Sequence, residues 1–427
     1  MSDAYKYTHW KLFPENTTNT YYYGESRGGA FDKTLFFGLQ GFIKDYLLGP
    51  FCTHSDVEEA KVILKKVFGY DYFNYEAWKQ IADMGKLPIR ISAVKEGGLY
   101  PTSTPLFTIE NTLKGFEWLP GFIETALLRA VWYPTTVATQ SYYIKQMIKE
   151  HCLDTGCELS PFHLNDFGGR GVSSHESAEI GGAAHLVNFL GTDTVESIYW
   201  LMKNYNTDVC GHSVMASEHS TTCIYKKEGE LEAYTRFINQ CPDEGIISIV
   251  ADSYNIRAAV KDFIGVKLKS KILSRTGKVV IRPDSGDPST MSLQVCEWLW
   301  KAFGGTKNEK GFRVLNPKVG VIYGDSMDID SINDVLYILK LNGFAASNVI
   351  FGSGGGLLQK VNRDTCKFAM KMSSAIVGSE TRDVYKDPVT DSGKKSKAGR
   401  WNLETVYENG ELLRDQTLQE IRDLSVY

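Results

Sequence analysis

The chain has 427 residues, of which 43% are hydrophobic and 23% charged, with a formal net charge of −4. This is the balance of a globular protein with room for one large domain or for two or three. The slight acidity offers no footprint for nucleic acid. No apolar run approaches the roughly 18–20 residues that cross a bilayer. The segment Met1 to Trp10 lacks the apolar core of a secretory signal. Eight cysteines are scattered without a Cys-x-x-Cys spacing, which argues against a zinc site or a disulfide scaffold. Reduced thiols and a cytoplasmic location are expected, with each cysteine acting as a small buried hydrophobe rather than a catalyst.

The first 160 residues predict a mixed α+β region. Thr20 to Ser26 is rich in aromatic β-formers and predicts a strand. Ser55-Asp56-Val57-Glu58 has the form of a capping box, and Val57, Ala60, Ile63, Leu64 and Val67 follow at helical spacing. Leu87 to Val94 and Leu106 to Glu110 predict short strands. Phe116 to about Glu150 predicts helix, with Pro134 expected to break or kink it.

From about Phe162 short β-branched runs alternate with helical patterns, the signature of parallel strands joined by crossover helices. The strands are expected at Phe162 to Asn165, Gly245 to Val250, Lys278 to Ile281, Val319 to Tyr323 and Val349 to Phe351. Helices are expected at Glu176 to Phe189, Thr194 to Asn204, Tyr254 to Phe263, Ser289 to Phe303 and Asp330 to Leu341. Past Asp364, Lys367 to Ile376 predicts another strand. A basic, turn-rich stretch from Lys386 to Arg400 follows, then a turn at Glu408-Asn409-Gly410 and a short terminal helix. The expected organisation is residues 1–160 as the α+β region and 161–365 as a (β/α) barrel. Residues 366–427 are expected to pack back on the N-terminal region.

Chemistry gathers at the carboxyl ends of the predicted barrel strands. There lie Asp166-Phe167-Gly168-Gly169-Arg170, Asp193, Glu218-His219, Asp252-Ser253, Arg282 with Asp284, Gly324-Asp325 and Gly352-Ser353-Gly354-Gly355-Gly356. One or two such residues would be helix caps, whereas six or seven at consecutive strand ends favour one shared site. The glycine run suits phosphate, because backbone N–H groups can approach anionic oxygens closely. It is neither a P-loop nor a Gly-x-Gly-x-x-Gly fingerprint. Arg170, Arg282, Arg363, Lys371, Lys386, Lys394 and Arg400 supply more positive charge than one phosphate needs. Asp252, Asp284 and Asp325 suit ribose hydroxyls, Mg²⁺ or a developing positive charge. Phe167 beside Asp193 suits a planar heterocycle bearing an amide, although a core phenylalanine is the plainer reading. These features describe a (β/α) enzyme for a multiply phosphorylated sugar. They fit phosphoribosyl transfer and other sugar-phosphate chemistry alike, since fold alone does not decide.

Several stretches, taken together, resemble the nicotinamide phosphoribosyltransferase family: Asp3 to His9, Phe36 to Gln40, Asp166 to Ser174, His185 to Thr194, Ile281 to Gly286 and Gly352 to Lys360. The likeness runs from Asp3 to about Arg400. It implies an irregular barrel of the type II phosphoribosyltransferase kind, working as a homodimer with shared sites. The implied reaction joins nicotinamide to 5-phosphoribosyl 1-pyrophosphate. By position, the resemblance puts Phe167 on one face of the pyridine ring, with Tyr5 of a second subunit covering the other and Asp3 nearby. Asp193 falls on the carboxamide, Arg282 and Asp284 on ring and ribose, and Gly324 and Asp325 near the ribose. Gly354 and Gly355 fall on the 5-phosphate. Arg27, Arg170, Arg363, Lys371, Lys386, Lys394 and Arg400 fall around the pyrophosphate, several from the second subunit. His219 matches a histidine phosphorylated during ATP hydrolysis, with Glu218 and Asp252 beside it; Mg²⁺ and ATP are therefore implied. Beside the base site, Asn165, Gly169 and Met215 depart from the family's histidine, tyrosine and proline. The alternatives are nicotinate as the base, or a non-catalytic protein of the same fold.

Overall fold

The computed structural model describes residues 2–390 and 395–426. Lys394, placed by resemblance at the pyrophosphate, lies outside the described residues. The chain forms two units. One comprises residues 1–139, 200–208 and 362–427, and the other residues 140–199 and 209–361.

The first unit is built on a seven-stranded antiparallel sheet. Its order is Glu380–Asp383, Phe368–Val377, Thr17–Ser26, Pro105–Asn111, Ile89–Ala93, Glu404–Glu408 and Glu411–Leu412. Asn409 and Gly410 turn the last hairpin, both at positive φ (50° and 91°), as a two-residue loop of type I′ requires. Ile89, Ile91, Phe107 and Ile109 of the sheet bury against Trp78, Ile81, Phe122 and Leu127 of the helices.

Two local expectations are corrected here. The capping box opens at Thr53, whose hydroxyl accepts from the Asp56 amide while the Asp56 carboxylate accepts from the Thr53 amide, so the helix is His54–Phe68. Its apolar spacing does not mark a fully buried face, for Ile63 and Val67 are 50% and 60% exposed. Pro134 does not break its helix, which runs from Leu119 to Thr155. The turn around it is held from outside. Thr135 accepts from the Phe37 amide and donates to the Phe37 carbonyl, and Thr139 accepts from Leu35. The proline ring packs against Gly38, where a Cβ would come 2.4 Å from Pro134 Cγ and where φ is +106°. Glycine alone suits both conditions.

Residues 200–208 join this unit through buried polar groups that hydropathy does not reveal. The Glu96 carboxylate is buried and accepts from the Gly38 and Gln40 amides and from the Tyr205 hydroxyl, at 2.6–2.9 Å. Burial pushes its carboxyl upward against these bonds. Trp200 and Lys203 both donate to Asp45.

The second unit is an α/β barrel. Seven parallel strands run in the order Gly191–Thr192, Leu164–Asp166, Val349–Ser353, Val319–Tyr323, Val279–Arg282, Ile247–Val250 and Met215–Ala216. The ends meet through one bridge, Gly191 to His212. There Thr192 donates to the His212 carbonyl and His212 to the Leu190 carbonyl. The closure is a seam one residue long. Strand residues alternate in direction: Val279, Ile281, Val319, Val321, Val349 and Phe351 pack outward with Val295, Leu299, Val335 and Leu339 of the helices Pro288–Phe303 and Ile329–Leu341. Their neighbours Val280, Ile322 and Ile350 face the bore. The helix expected from Tyr254 to Phe263 opens with a short α-helical segment, Ile256–Ala258, and continues as a wider π-helix, Ala259–Lys267. Pro283 ends its strand as expected.

Candidate active site

The carboxyl ends of the barrel strands surround a polar cavity of about 690 Å³. Phe167, Arg170, Asp193, Glu218, His219, Arg282, Asp284, Gly324, Asp325, Gly354 and Gly355 line it. A second, mostly apolar cavity of about 580 Å³ occupies the bore and shares Phe167, Asp193 and Arg282 with the first. Asn165 and Met215 line this bore, while Gly169 lines the polar cavity.

Phe167 follows the first strand and is seated by missing side chains. A Cβ on Gly352 would lie 1.9 Å from Phe167 Cε2, and one on Gly324 would lie 3.0 Å from it. Both glycines stand at inward-facing positions, so the ring has no space if either carries a side chain. Its amide donates to the Ser353 carbonyl at 3.0 Å. Asp166 braces the same turn by accepting from the Gly168 amide (2.7 Å) and from Thr192 (3.3 Å). Burial raises the Asp166 carboxyl.

Asp193 opens into the cavity from the second strand. Its Oδ1 accepts from the Ser213 hydroxyl across the seam. Arg282 donates from Nη2 to the Ser217 carbonyl at 3.0 Å, and its Nε is buried without a partner.

His219 stands between two carboxylates. Its Nε2 lies 2.9 Å from Asp252 Oδ1 and its Nδ1 lies 3.8 Å from Asp284 Oδ2. Asp252 does not line the cavity; its Oδ2 accepts from the Asp284 amide (3.0 Å) and the Ser285 hydroxyl. Asp252 therefore fixes both His219 and the Asp284 loop. Asp325 is exposed in the cavity, and Ser326 beside it is held at φ +55°, a conformation uncommon for a non-glycine residue. Gly354 to Gly356 form a wall where only backbone meets the cavity.

Lys360, Glu196 and Ser213 were not singled out as site residues by sequence reasoning. Lys360 lines the cavity, with Nζ 3.8 Å from Asp328 Oδ2. Its position just after the glycine run, beyond the short helix Gly355–Leu358, was a usable signal. Ser213 had none, because its role depends on barrel closure.

The remaining expected residues belong to the antiparallel unit, and none lines the barrel cavity. Tyr5 is 57% exposed. Asp3 accepts from Thr125 at 2.7 Å. Arg27 pairs with Glu25, Arg363 with Asp364 and Arg400 with Glu110. Lys386 is exposed. Lys371 is half-buried, and desolvation lowers its pKa; Glu124 raises it in part, while Arg27, Lys386 and Lys6 lower it.

Residues 162–420 match the nicotinate phosphoribosyltransferase family. Residues 1–91 match the N-terminal domain of nicotinamide phosphoribosyltransferase. The chain is 44% identical to the nicotinamide phosphoribosyltransferase of Xanthomonas campestris pv. campestris (strain 8004), over 99% of this chain and 96% of that one. It is 34% identical to the enzyme of the same name from Acinetobacter baylyi, over 98% and 95%. Its fold is similar to that of nicotinate-nucleotide pyrophosphorylase from Pyrococcus furiosus, with a TM-score of 0.60 at 14% identity, covering 100% of this chain and 93% of that one.

Proposed function

The chain belongs to the nicotinate phosphoribosyltransferase family, and from that premise we propose that it transfers the 5-phosphoribosyl group of 5-phosphoribosyl 1-pyrophosphate to nicotinamide. The products are nicotinamide mononucleotide and pyrophosphate, a salvage step towards NAD. The observation that carries this reading is Phe167 and Asp193 side by side in one cavity with Asp284, Asp325 and the glycine wall.

Phe167 offers a flat apolar face to the pyridine ring. Asp193 accepts a hydrogen bond from the carboxamide NH₂. A nicotinate carboxylate would instead face the Asp193 carboxylate with no proton to donate, so the site favours the amide. Held in this way, the ring nitrogen is aimed at C1 of the ribose. As the bond to pyrophosphate breaks, positive charge develops on the ribose, and the Asp284 carboxylate stabilises it. Gly354 and Gly355 take the 5-phosphate, and Arg170 faces the leaving group.

Asp325 and Asp284 present hard oxygen donors to the cavity, which suits Mg²⁺. No cluster of three or more metal-ligating residues exists among the described residues. That fits an ion held by one or two carboxylates together with substrate phosphates. Its contribution is to neutralise the departing charge.

In a homodimer a second copy of the chain supplies Tyr5, with Asp3 nearby, and several of Arg27, Arg363, Lys371, Lys386, Lys394 and Arg400. Exposed Tyr5 and the mutual repulsion around Lys371 support this, because an anion would relieve it. His219, flanked by two carboxylates, takes phosphate from ATP and couples its hydrolysis to transfer. We place the enzyme in the cytoplasm, in keeping with eight cysteines outside any disulfide; no helix among the described residues is long and apolar enough to cross a membrane.

The test supplies purified protein with phosphoribosyl pyrophosphate, Mg²⁺ and either base, with and without ATP. Mononucleotide from nicotinamide in preference to nicotinate is expected. Preference for nicotinate would reassign the base, and no product would leave a non-catalytic protein. Label from γ-³²P ATP should appear on the wild type and vanish in His219→Ala; label persisting in that variant would overturn the ATP assignment.

A further inference from the structure

The long helix ends in His151-Cys152-Leu153-Asp154-Thr155, and Gly156-Cys157 follows. The Cys157 amide turns back to the Cys152 carbonyl at 2.9 Å, which brings the two thiols together. Cys152 is buried, whereas Cys157 is partly exposed. Neither contributes to the reaction proposed above.

The donors around this pair point one way. The buried His163 accepts from the Ser160 amide at Nδ1 (2.7 Å), so its proton sits on Nε2. That N–H faces Cys152 Sγ at 3.9 Å. Burial keeps the ring neutral, with its pKa lowered to about 4. The Cys152 thiol and Ser347 both neighbour the sulfur of Cys157 and act on its proton. Thr155 Oγ1 lies 3.6 Å from the same sulfur. A sulfur with donors beside it is stabilised as thiolate, the nucleophilic form.

We propose that Cys157 is an oxidant-sensitive modification site, with Cys152 as its resolving partner. The Cys157 thiolate attacks one oxygen of a hydroperoxide such as hydrogen peroxide. The O–O bond breaks, the sulfur is oxidised to sulfenic acid and the other oxygen leaves as hydroxide, which a solvent proton converts to water. The Cys152 sulfur then attacks the sulfenic sulfur. The S–OH bond breaks, the thiol proton leaves with the hydroxyl as a second water, and a Cys152–Cys157 disulfide remains.

Three features support this reading. The neighbouring Cys152 thiol, with Ser347 beside it, lowers the Cys157 thiol to about 6 against the burial that raises it, while the Thr155 hydroxyl gives its own proton to the His151 carbonyl. The bond between the two thiols pushes the Cys152 thiol upward and keeps it protonated. The charged neighbours are mostly engaged elsewhere: Asp154 pairs with Lys340, Lys310 donates to the Leu153 carbonyl and His151 meets Asn333. Their charges therefore add little to what the donors do.

The protein carries both cysteines in one tryptic peptide, Glu150 to Arg170. After mild peroxide treatment and alkylation in denaturant, that peptide should be two hydrogens lighter and refuse alkylation, with dithiothreitol restoring it. In Cys152→Ser, dimedone should trap the sulfenic acid at Cys157. Iodoacetamide labelling of Cys157 should rise with a midpoint near pH 6. At that pH it should outpace the exposed Cys223 by about tenfold, the larger thiolate fraction outweighing its lower intrinsic reactivity. A midpoint at pH 8 or above, or a peroxide-treated peptide that keeps both thiols, would overturn the proposal.

Discussion

Replacing Gly352 by alanine tests whether the Phe167 ring is placed by the absence of a side chain. The new Cβ would lie 1.9, 2.2 and 2.8 Å from three ring carbons. Carbon atoms rest at about 3.5–4.0 Å, so the ring must retreat by about 1.5 Å. Misplacement of about 1 Å in a reacting group can cost roughly a hundredfold, or about 2.7 kcal/mol. We expect kcat/KM for nicotinamide to fall about a hundredfold while KM for phosphoribosyl pyrophosphate changes less than threefold. Overpacking should also cost about 1–3 kcal/mol of stability, read from urea unfolding. The decisive comparison is a cycle with Phe167→Ala. Once the ring is gone, adding Gly352→Ala should have no further effect on activity. Equal losses from Gly352→Ala with and without Phe167 would refute the reasoning.

Asp193→Asn removes the charged acceptor, so kcat/KM for nicotinamide should fall about 10- to 100-fold, the worth of a hydrogen bond to a charged group. The nicotinamide-to-nicotinate ratio should narrow by at least tenfold in side-by-side assays. Lys360→Met should raise KM for phosphoribosyl pyrophosphate several-fold and leave that for nicotinamide unchanged. Buried His185 is kept neutral by desolvation, its pKa lowered to about 4. Its contribution is complete above the ordinary value of about 6.5 and is lost as pH falls towards 4, because the unfolded chain then binds the extra proton. Between pH 7 and 5 this amounts to about 2 kcal/mol. Urea unfolding of His185→Gln should show that much less acid sensitivity than the wild type, and identical slopes would exclude the assignment.

The barrel was legible because its strands are β-branched runs and its helices keep their apolar spacing. Val319 to Tyr323 and Ser289 to Phe303 need no tertiary information to be recognised. The shared site was legible because Asp193, Arg282, Asp284 and Gly354 all stand at strand ends. What escaped depends on distant partners. The two-residue strands Gly191–Thr192 and Met215–Ala216 are legible only as short runs ahead of Asp193 and Glu218, and their pairing across the closure is not. Pro134 is tolerated because Thr135 and Gly38, far apart in sequence, hold its turn. The helix His54–Phe68 has an amphipathic spacing whose outer residues stay in solvent. The pairing of Cys152 with Cys157 was hidden because its five-residue spacing matches no familiar motif, and its reactivity depends on Ser347. Arg363, Lys371, Lys386 and Arg400 stood out as surplus positive charge, but nothing in their local sequence ties them to the barrel, and Arg27 came from resemblance alone.

The seam between Gly191 and His212 has a consequence for how the pocket works. It is the shortest strand junction of the barrel, with two backbone hydrogen bonds, so it is where the cylinder opens at least cost. Asp193 lies just past one lip and Ser213 just past the other. Their hydrogen bond is therefore a clasp as well as an orienting contact. On the proposed reading, the residue that selects the base sits beside this short seam, and a carboxamide engaging Asp193 would tighten the hoop around itself.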